Sequence, residues 1–217
     1  QDASFDELRA KDVPEGTKVK PGQIIDPLIY YAGCTRVEFV NDAPSVTLTD
    51  LKPFVDRGRQ IVRSSSGELK LDYGRGLLTI NAPAAQGISG NLKNTGEVSL
   101  RDVIIRSDLD LVSIITVALD GKPLASSRRI LLQAMSEERN SGWETEAVAG
   151  GVQRIVDIGH DPWQVKELSG EVRFRREDAA QLKVVALDAN GMPVGPAGHG
   201  DRILLQPKTI YYVVEAP

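Results

Sequence analysis

Short apolar runs rich in Val, Ile and Leu recur at intervals of about 8–12 residues from Ile24 to the end of the chain, with turn residues between them. No long stretch repeats its apolar positions at the 3.6-residue helical period, so a parallel sheet built from alternating strands and helices is disfavoured. About fourteen such strands are expected. They include Val37–Val40, Val46–Leu51, Ile61–Arg63, Val98–Ile105, Leu111–Leu119, Ile130–Met135, Ile155–Ile158, Val165–Leu168, Val172–Phe174, Leu182–Leu187, Ile203–Leu205 and Ile210–Val214. The pattern implies an all-β, antiparallel β-sandwich, jelly-roll-like in its strand count, over residues 24–217. Residues 1–23 read differently. Ser4-Phe5-Asp6-Glu7 has the form of a capping box, which predicts a short helix over Phe5–Lys11. Lys11–Gly22, with its prolines, glycines and lysines, reads as an extended arm or linker.

The chain has 217 residues, enough to bury a core. Its net charge of −4 offers no general basic field for a polyphosphate, so nucleic acid is not an expected partner. No apolar run approaches the roughly 20 residues of a membrane helix. Cys34 is the only cysteine, which excludes an intrachain disulfide.

The most legible local structure is a hairpin. In Glu68–Tyr73, Leu69, Leu71 and Tyr73 alternate with Glu68, Lys70 and Asp72; Leu77–Asn81 returns after Gly74-Arg75-Gly76. Period-two alternation predicts Leu69, Leu71, Leu78 and Ile80 in a core, Glu68 and Lys70 in solvent, and a positive φ at one or both glycines. An echo joins Val117-Ala118-Leu119-Asp120-Gly121 and Arg129–Gln133 to Val185-Ala186-Leu187-Asp188 and Arg202–Gln206. It reads either as a duplicated unit or as two answers to one local turn demand.

Catalytic constellations are sparse. His160 and His199 both sit among Gly, Asp and Pro, as exposed loop histidines would. No G-x-S-x-G elbow occurs, and Gly74-Arg75-Gly76 is followed by a strand instead of the helix a phosphate loop needs. A glycosidase would need two carboxylates across a cleft; the candidates are Glu137, Glu138, Glu144 and Glu146 around Trp143. Loop Asp and Asn residues suit calcium, but no D-x-D-x-D-G loop appears, and no catalytic residue, metal site or cofactor is assigned.

The two tryptophans are more informative. Trp143 follows Arg139-Asn140-Ser141-Gly142, and Trp163 follows His160-Asp161-Pro162. A tryptophan in a polar turn either presents its face to the C–H face of a sugar or folds back over an open end of the sandwich. For a sugar-binding site, the candidates are Trp143 and Trp163 as platforms, with Arg139, Asn140 and Glu144 as hydrogen-bonding partners.

The run Arg63-Ser64-Ser65-Ser66-Gly67-Glu68-Leu69-Lys70-Leu71-Asp72-Tyr73-Gly74-Arg75-Gly76-Leu77-Leu78-Thr79-Ile80-Asn81-Ala82-Pro83 resembles the β-rich C-terminal region of large secreted bacterial glycoside-hydrolase-like proteins. Leu119–Ser127, Glu138–Trp143 and Val184–Gly195 extend the likeness, which runs from about Asp26 to the end. In that family the region follows a catalytic barrel, which this sequence lacks. The resemblance implies a non-catalytic, carbohydrate-associated module with a polysaccharide or oligosaccharide as ligand, a catalytic domain as neighbour and a secreted or periplasmic location. It transfers no catalytic residue. Two alternatives stand beside it: a purely structural domain packing on a catalytic barrel, and a small polysaccharide hydrolase or lyase.

Overall fold

The structure is a computed structural model that describes residues 18–19, 27–33, 46–47, 50 and 52–217. The expected helix at Phe5–Lys11, the strand at Val37–Val40 and Cys34 lie outside the described residues. The chain divides into two compact units, residues 1–82 and 83–217. That boundary falls inside the 24–217 stretch that reads as one domain in the sequence. Both units are built from antiparallel strands, and the fold is all-β and sandwich-like.

In the first unit β1 (Lys18–Val19), inside the stretch expected as an arm, pairs with β2 (Val46–Thr47). A four-residue helix, α1 (Ile29–Ala32), lies between them. Then β3 (Val55–Asp56), β4 (Ile61–Arg63), β5 (Leu69–Asp72) and β6 (Leu77–Asn81) pair in sequence order. Val62, Leu71 and Leu78 are directly opposite one another, as are Leu69 and Ile80, so the predicted apolar set does share one face.

Its burial differs from the expectation. Leu69 is 39% exposed, and Leu71, Leu78 and Ile80 are only half-buried. Glu68 and Lys70 are half-buried rather than solvent-facing, and the buried leucine of the hairpin is Leu77, on the opposite face. Alternation specifies which side chains share a face; how fully that face is covered depends on what packs against it. Leu71 therefore anchors less than a core residue would.

The turn conforms: Gly76 has φ +63° while Gly74 is not in the left-handed region. A Cβ at Gly76 would meet nothing within 4 Å, so a side chain there adds backbone strain alone. Gly76→Val should destabilise this unit by about 1–3 kcal/mol, read from the urea dependence of far-UV circular dichroism. An unchanged midpoint would show that the turn tolerates the substitution and carries no strain.

The second unit holds the well-packed core. Its strands are β7 (Ala85–Gly90), β8 (Glu97–Ser99), β9 (Val103–Arg106), β10 (Val112–Ala118), β11 (Arg129–Ser136), β12 (Glu138–Ser141), β13 (Glu144–Ala147), β14 (Gln153–Asp157), β15 (His160–Val165), β16 (Glu171–Phe174), β17 (Lys183–Leu187), β18 (Pro193–His199), β19 (Ile203–Leu204) and β20 (Tyr211–Glu215). One sheet runs β18-β17-β20-β11-β10-β7 and the other β19-β16-β9-β8. On the first, Ile88, Ile114, Ile130, Leu132, Val184, Tyr212 and Val214 are buried in register with one another. On the second, Val103, Ile105, Val172, Phe174 and Ile203 are buried. The two apolar faces close on each other, and burial of this kind supplies most of the driving force for folding.

Two buried side chains of this unit show how polar groups are partnered inside, while among the described residues the buried Asn91 Oδ1 has no hydrogen-bond partner. Gln86, fully buried, donates to Asp102 Oδ2 at 2.5 Å and accepts from the Asp102 N–H at 2.8 Å. The buried Tyr212 hydroxyl accepts from the Gln206 N–H at 2.7 Å, tying the approach to β20 onto the core. Burial raises the Tyr212 phenol above its ordinary pKa.

Several strand expectations are corrected. The expected strand Val98–Ile105 is two strands, β8 and β9, folded back on each other around Leu100-Arg101-Asp102. Val165–Leu168 is largely not a strand, while His160–Val165, expected as a turn, is β15. His160 and His199 are exposed, as expected, but lie in strands. The internal echo is shared in the strands that lead in, β10 and β17, and in the turns that follow them. Asp120 accepts from the Lys122 and Arg128 N–H groups, and Asp188 from the Asn190 and Met192 N–H groups, each ahead of a glycine at positive φ. The strands that follow diverge: Arg129–Gln133 pairs with β10, whereas Ile203–Leu204 pairs with β16 in the other sheet. The Arg128 N–H and then the Ser127 hydroxyl, both donating to Asp120, hold its carboxyl below the ordinary carboxylate value.

Candidate functional site

Between β11 and β16 the chain leaves the sandwich as a long two-stranded ribbon. β12 pairs with β15, and further out β13 pairs with β14. Every residue of β13, β14 and β15 is exposed. Such a ribbon has no core of its own, and its shape depends on backbone pairing and on its turns. At its base the Ser136 hydroxyl donates to the Lys166 carbonyl, joining the two strands where they depart from the sandwich.

The ribbon has a corner midway. Asn140-Ser141-Gly142-Trp143 is a turn in which the Trp143 N–H donates to the Asn140 carbonyl at 3.2 Å and Gly142 has φ +76°. Opposite it Gly159, at φ +69°, lies so close that a Cβ there would stand 2.3 Å from the Ser141 carbonyl oxygen and 2.9 Å from the Trp143 nitrogen. Only glycine permits this approach. The Asn140 amide donates to the Ile158 carbonyl at 2.8 Å, and the Ser141 hydroxyl donates to the Pro162 carbonyl at 2.5 Å, so each side of the corner holds the other.

These folds of the ribbon enclose a groove of about 820 Å³. Trp143 and Trp163 line it, together with Arg139 and Asn140, and Thr145, Gln153 and Ile155 from β13 and β14 also contribute. Asn140 lies directly across from Trp163 in the strand register, so the amide and the indole share a face. Trp163 is 55% exposed, and Trp143 is half-buried. Among the described residues, neither indole N–H makes a hydrogen bond. Arg139 is fixed by an ion pair with Glu137.

Four of the five sugar-site candidates therefore come together: Trp143, Trp163, Arg139 and Asn140. Glu144 does not line the groove; it sits exposed at the start of β13, opposite Asp157. Of the carboxylates considered for hydrolysis, Glu137 and Glu138 line the groove as neighbours in sequence, not as residues facing each other from two walls. Glu146 is paired with Arg154 on the ribbon. Among the described residues no group of three or more His, Cys, Asp or Glu side chains is placed to hold a metal ion. Thr145, Gln153 and Ile155 were missed in sequence. Their signal is the pairing of Thr145 with Ile155 and Ala147 with Gln153 on one ribbon face, which becomes readable only once the turn at Ala149-Gly150-Gly151 sets the register.

The fold and groove define an all-β protein with an aromatic-lined, solvent-open cleft on a projecting ribbon. No family model, curated protein or solved structure matches the chain.

Proposed function

We propose that the 83–217 unit is a non-catalytic glycan-binding module, and that a polysaccharide or oligosaccharide lies in the ribbon groove. The observation that carries this reading is the convergence of an exposed and a half-buried indole ring with Arg139 and Asn140 in one groove. Sugars offer apolar C–H faces that pack on indole and hydroxyls that need directed polar partners. The Asn140 amide nitrogen already bonds to Ile158, which leaves its Oδ1 to accept from a hydroxyl. The Arg139 guanidinium, oriented by Glu137, supplies donors. A ligand of this class agrees with a secreted or periplasmic location.

Titration of the whole chain against a broad panel of neutral polysaccharides tests the reading. At least one should bind, and Trp163→Ala should weaken it by about tenfold or more, since aromatic anchors carry most of the energy at such sites. Trp143→Ala should act in the same direction. Absence of binding across the panel would overturn the proposal, as would binding indifferent to both substitutions.

A second reading has its own support. Val152, Val156 and Ile158 on the ribbon are more than half exposed, an unusual apolar concentration. In that reading the ribbon packs against a neighbouring catalytic domain and the module is structural.

A further inference from the structure

The first unit carries a feature of opposite character. A pocket of about 500 Å³ is formed around the β3–β4 hairpin, and among the described residues Lys52, Arg57, Arg59 and Arg63 line it with one carboxylate, Asp56. Asp56 is already engaged: its Oδ1 accepts from the Arg59 N–H at 2.9 Å and its Oδ2 lies 3.8 Å from Arg59 Nε. Among the described residues, no carboxylate stands within ion-pairing distance of Lys52 or Arg63.

The sheet register sharpens this concentration of charge. Arg63 lies directly opposite Lys70, so two cations share one face as cross-strand neighbours. Like charges in that position repel, and a sheet carries such a pair at a cost unless an anion relieves it. Glu68, just before β5, and Asp72 flank Lys70, yet among the described residues neither forms an ion pair with it or with Arg63; Asp72 instead accepts from the Arg75 N–H in the β5–β6 turn. The cluster occurs on a chain whose net charge is −4, so it is local and not part of a general basic field.

We propose that this pocket is an anion-binding site that takes a single acidic group, either a carboxylate or a sulfate ester. Guanidinium groups suit both, because their planar donors pair with two oxygens at once. The surrounding acidic chain favours a ligand of sparse charge. Duplex DNA carries about one charge per 1.7 Å and would meet repulsion on either side of so small a patch. The site lies in the other unit from the ribbon groove and does not depend on the reading of that groove.

The test uses the whole chain and one backbone in three forms: dextran, carboxymethyl-dextran and dextran sulfate, the two anionic forms prepared at the same low degree of substitution so that charged groups are sparse along the chain. At least one anionic form should bind about tenfold or more tightly than dextran, with affinity falling as salt rises. Preference for the carboxymethyl or the sulfated form identifies the acidic group. Arg59→Gln/Arg63→Gln should remove the preference, Arg63→Lys should keep only part of it, since an ammonium cannot pair with two oxygens as the planar guanidinium does, and Trp143→Ala/Trp163→Ala should leave it intact. Circular dichroism confirms the fold of each variant. The proposal is overturned if neither anionic form outbinds dextran, or if the double arginine variant keeps the full preference. It is equally overturned if duplex DNA or phosphatidylglycerol vesicles bind as tightly as the anionic dextrans.

Discussion

Replacing Gly159 by valine should abolish glycan binding while leaving the sandwich folded. The residue sits at positive φ, where a β-branched side chain is strained by about 1–3 kcal/mol. Its added Cβ would also stand 2.3 Å from the Ser141 carbonyl oxygen and 2.9 Å from the Trp143 nitrogen. Both are backbone atoms and have no rotamer by which to move aside. The ribbon must open at its corner, and the hydrogen bonds from Asn140 to Ile158 and from Ser141 to Pro162 break with it. Trp143 and Asn140 then part from Trp163. Because β13, β14 and β15 are exposed throughout, little buried surface resists the change, and little of the global stability is lost. The expected signature is lost affinity, altered tryptophan fluorescence and faster amide exchange across 138–165, with a nearly unchanged circular-dichroism melting curve. Wild-type affinity together with wild-type fluorescence in the variant would show that the corner is not what holds the groove.

Leu132→Ala should have the largest effect on stability. Leu132 is fully buried at the centre of β11, with Thr116 opposite it on β10 and Tyr212 opposite it on β20. Truncation removes three side-chain carbons from a site walled on both sides by paired strands, so the cavity has little freedom to collapse. A loss of about 2–5 kcal/mol is expected for such a site, measured by urea denaturation of the full chain with the transition assigned to the 83–217 unit. Leu71→Ala in the first unit is the natural control: Leu71 is half-buried, so its loss should be smaller. Equal costs at the two positions would contradict the difference in packing.

The contrast between these leucines shows how far sequence reasoning reaches. In the hairpin of the first unit alternation told which side chains share a face: Leu69, Leu71, Leu78 and Ile80. It could not distinguish a covered face from an open one. The same limit appears at β15. Asp161 and Pro162 are turn formers by local preference, yet the pairing of Trp163 and Gln164 with Asn140 and Arg139 draws them into a strand. Pro83, at the start of the second unit, likewise carries no local sign that a boundary between compact units falls there.

The all-β class, the hairpin turns at Gly76, Gly121 and Gly191, and four of the groove residues were determined by the sequence itself. Each depends on short-range chemistry: β-branched alternation, glycine's access to positive φ, and aromatic rings beside polar partners close in the chain. Tertiary structure alone decided that Arg139–Trp143 and Trp163 meet, that Glu144 stands apart from them, and that Thr145, Gln153 and Ile155 join them. Those outcomes rest on strand register and on one close backbone approach at Gly159, which bring together residues some twenty positions apart in the chain. Pairing at that range is set by which partner strand is present, and no local pattern encodes it.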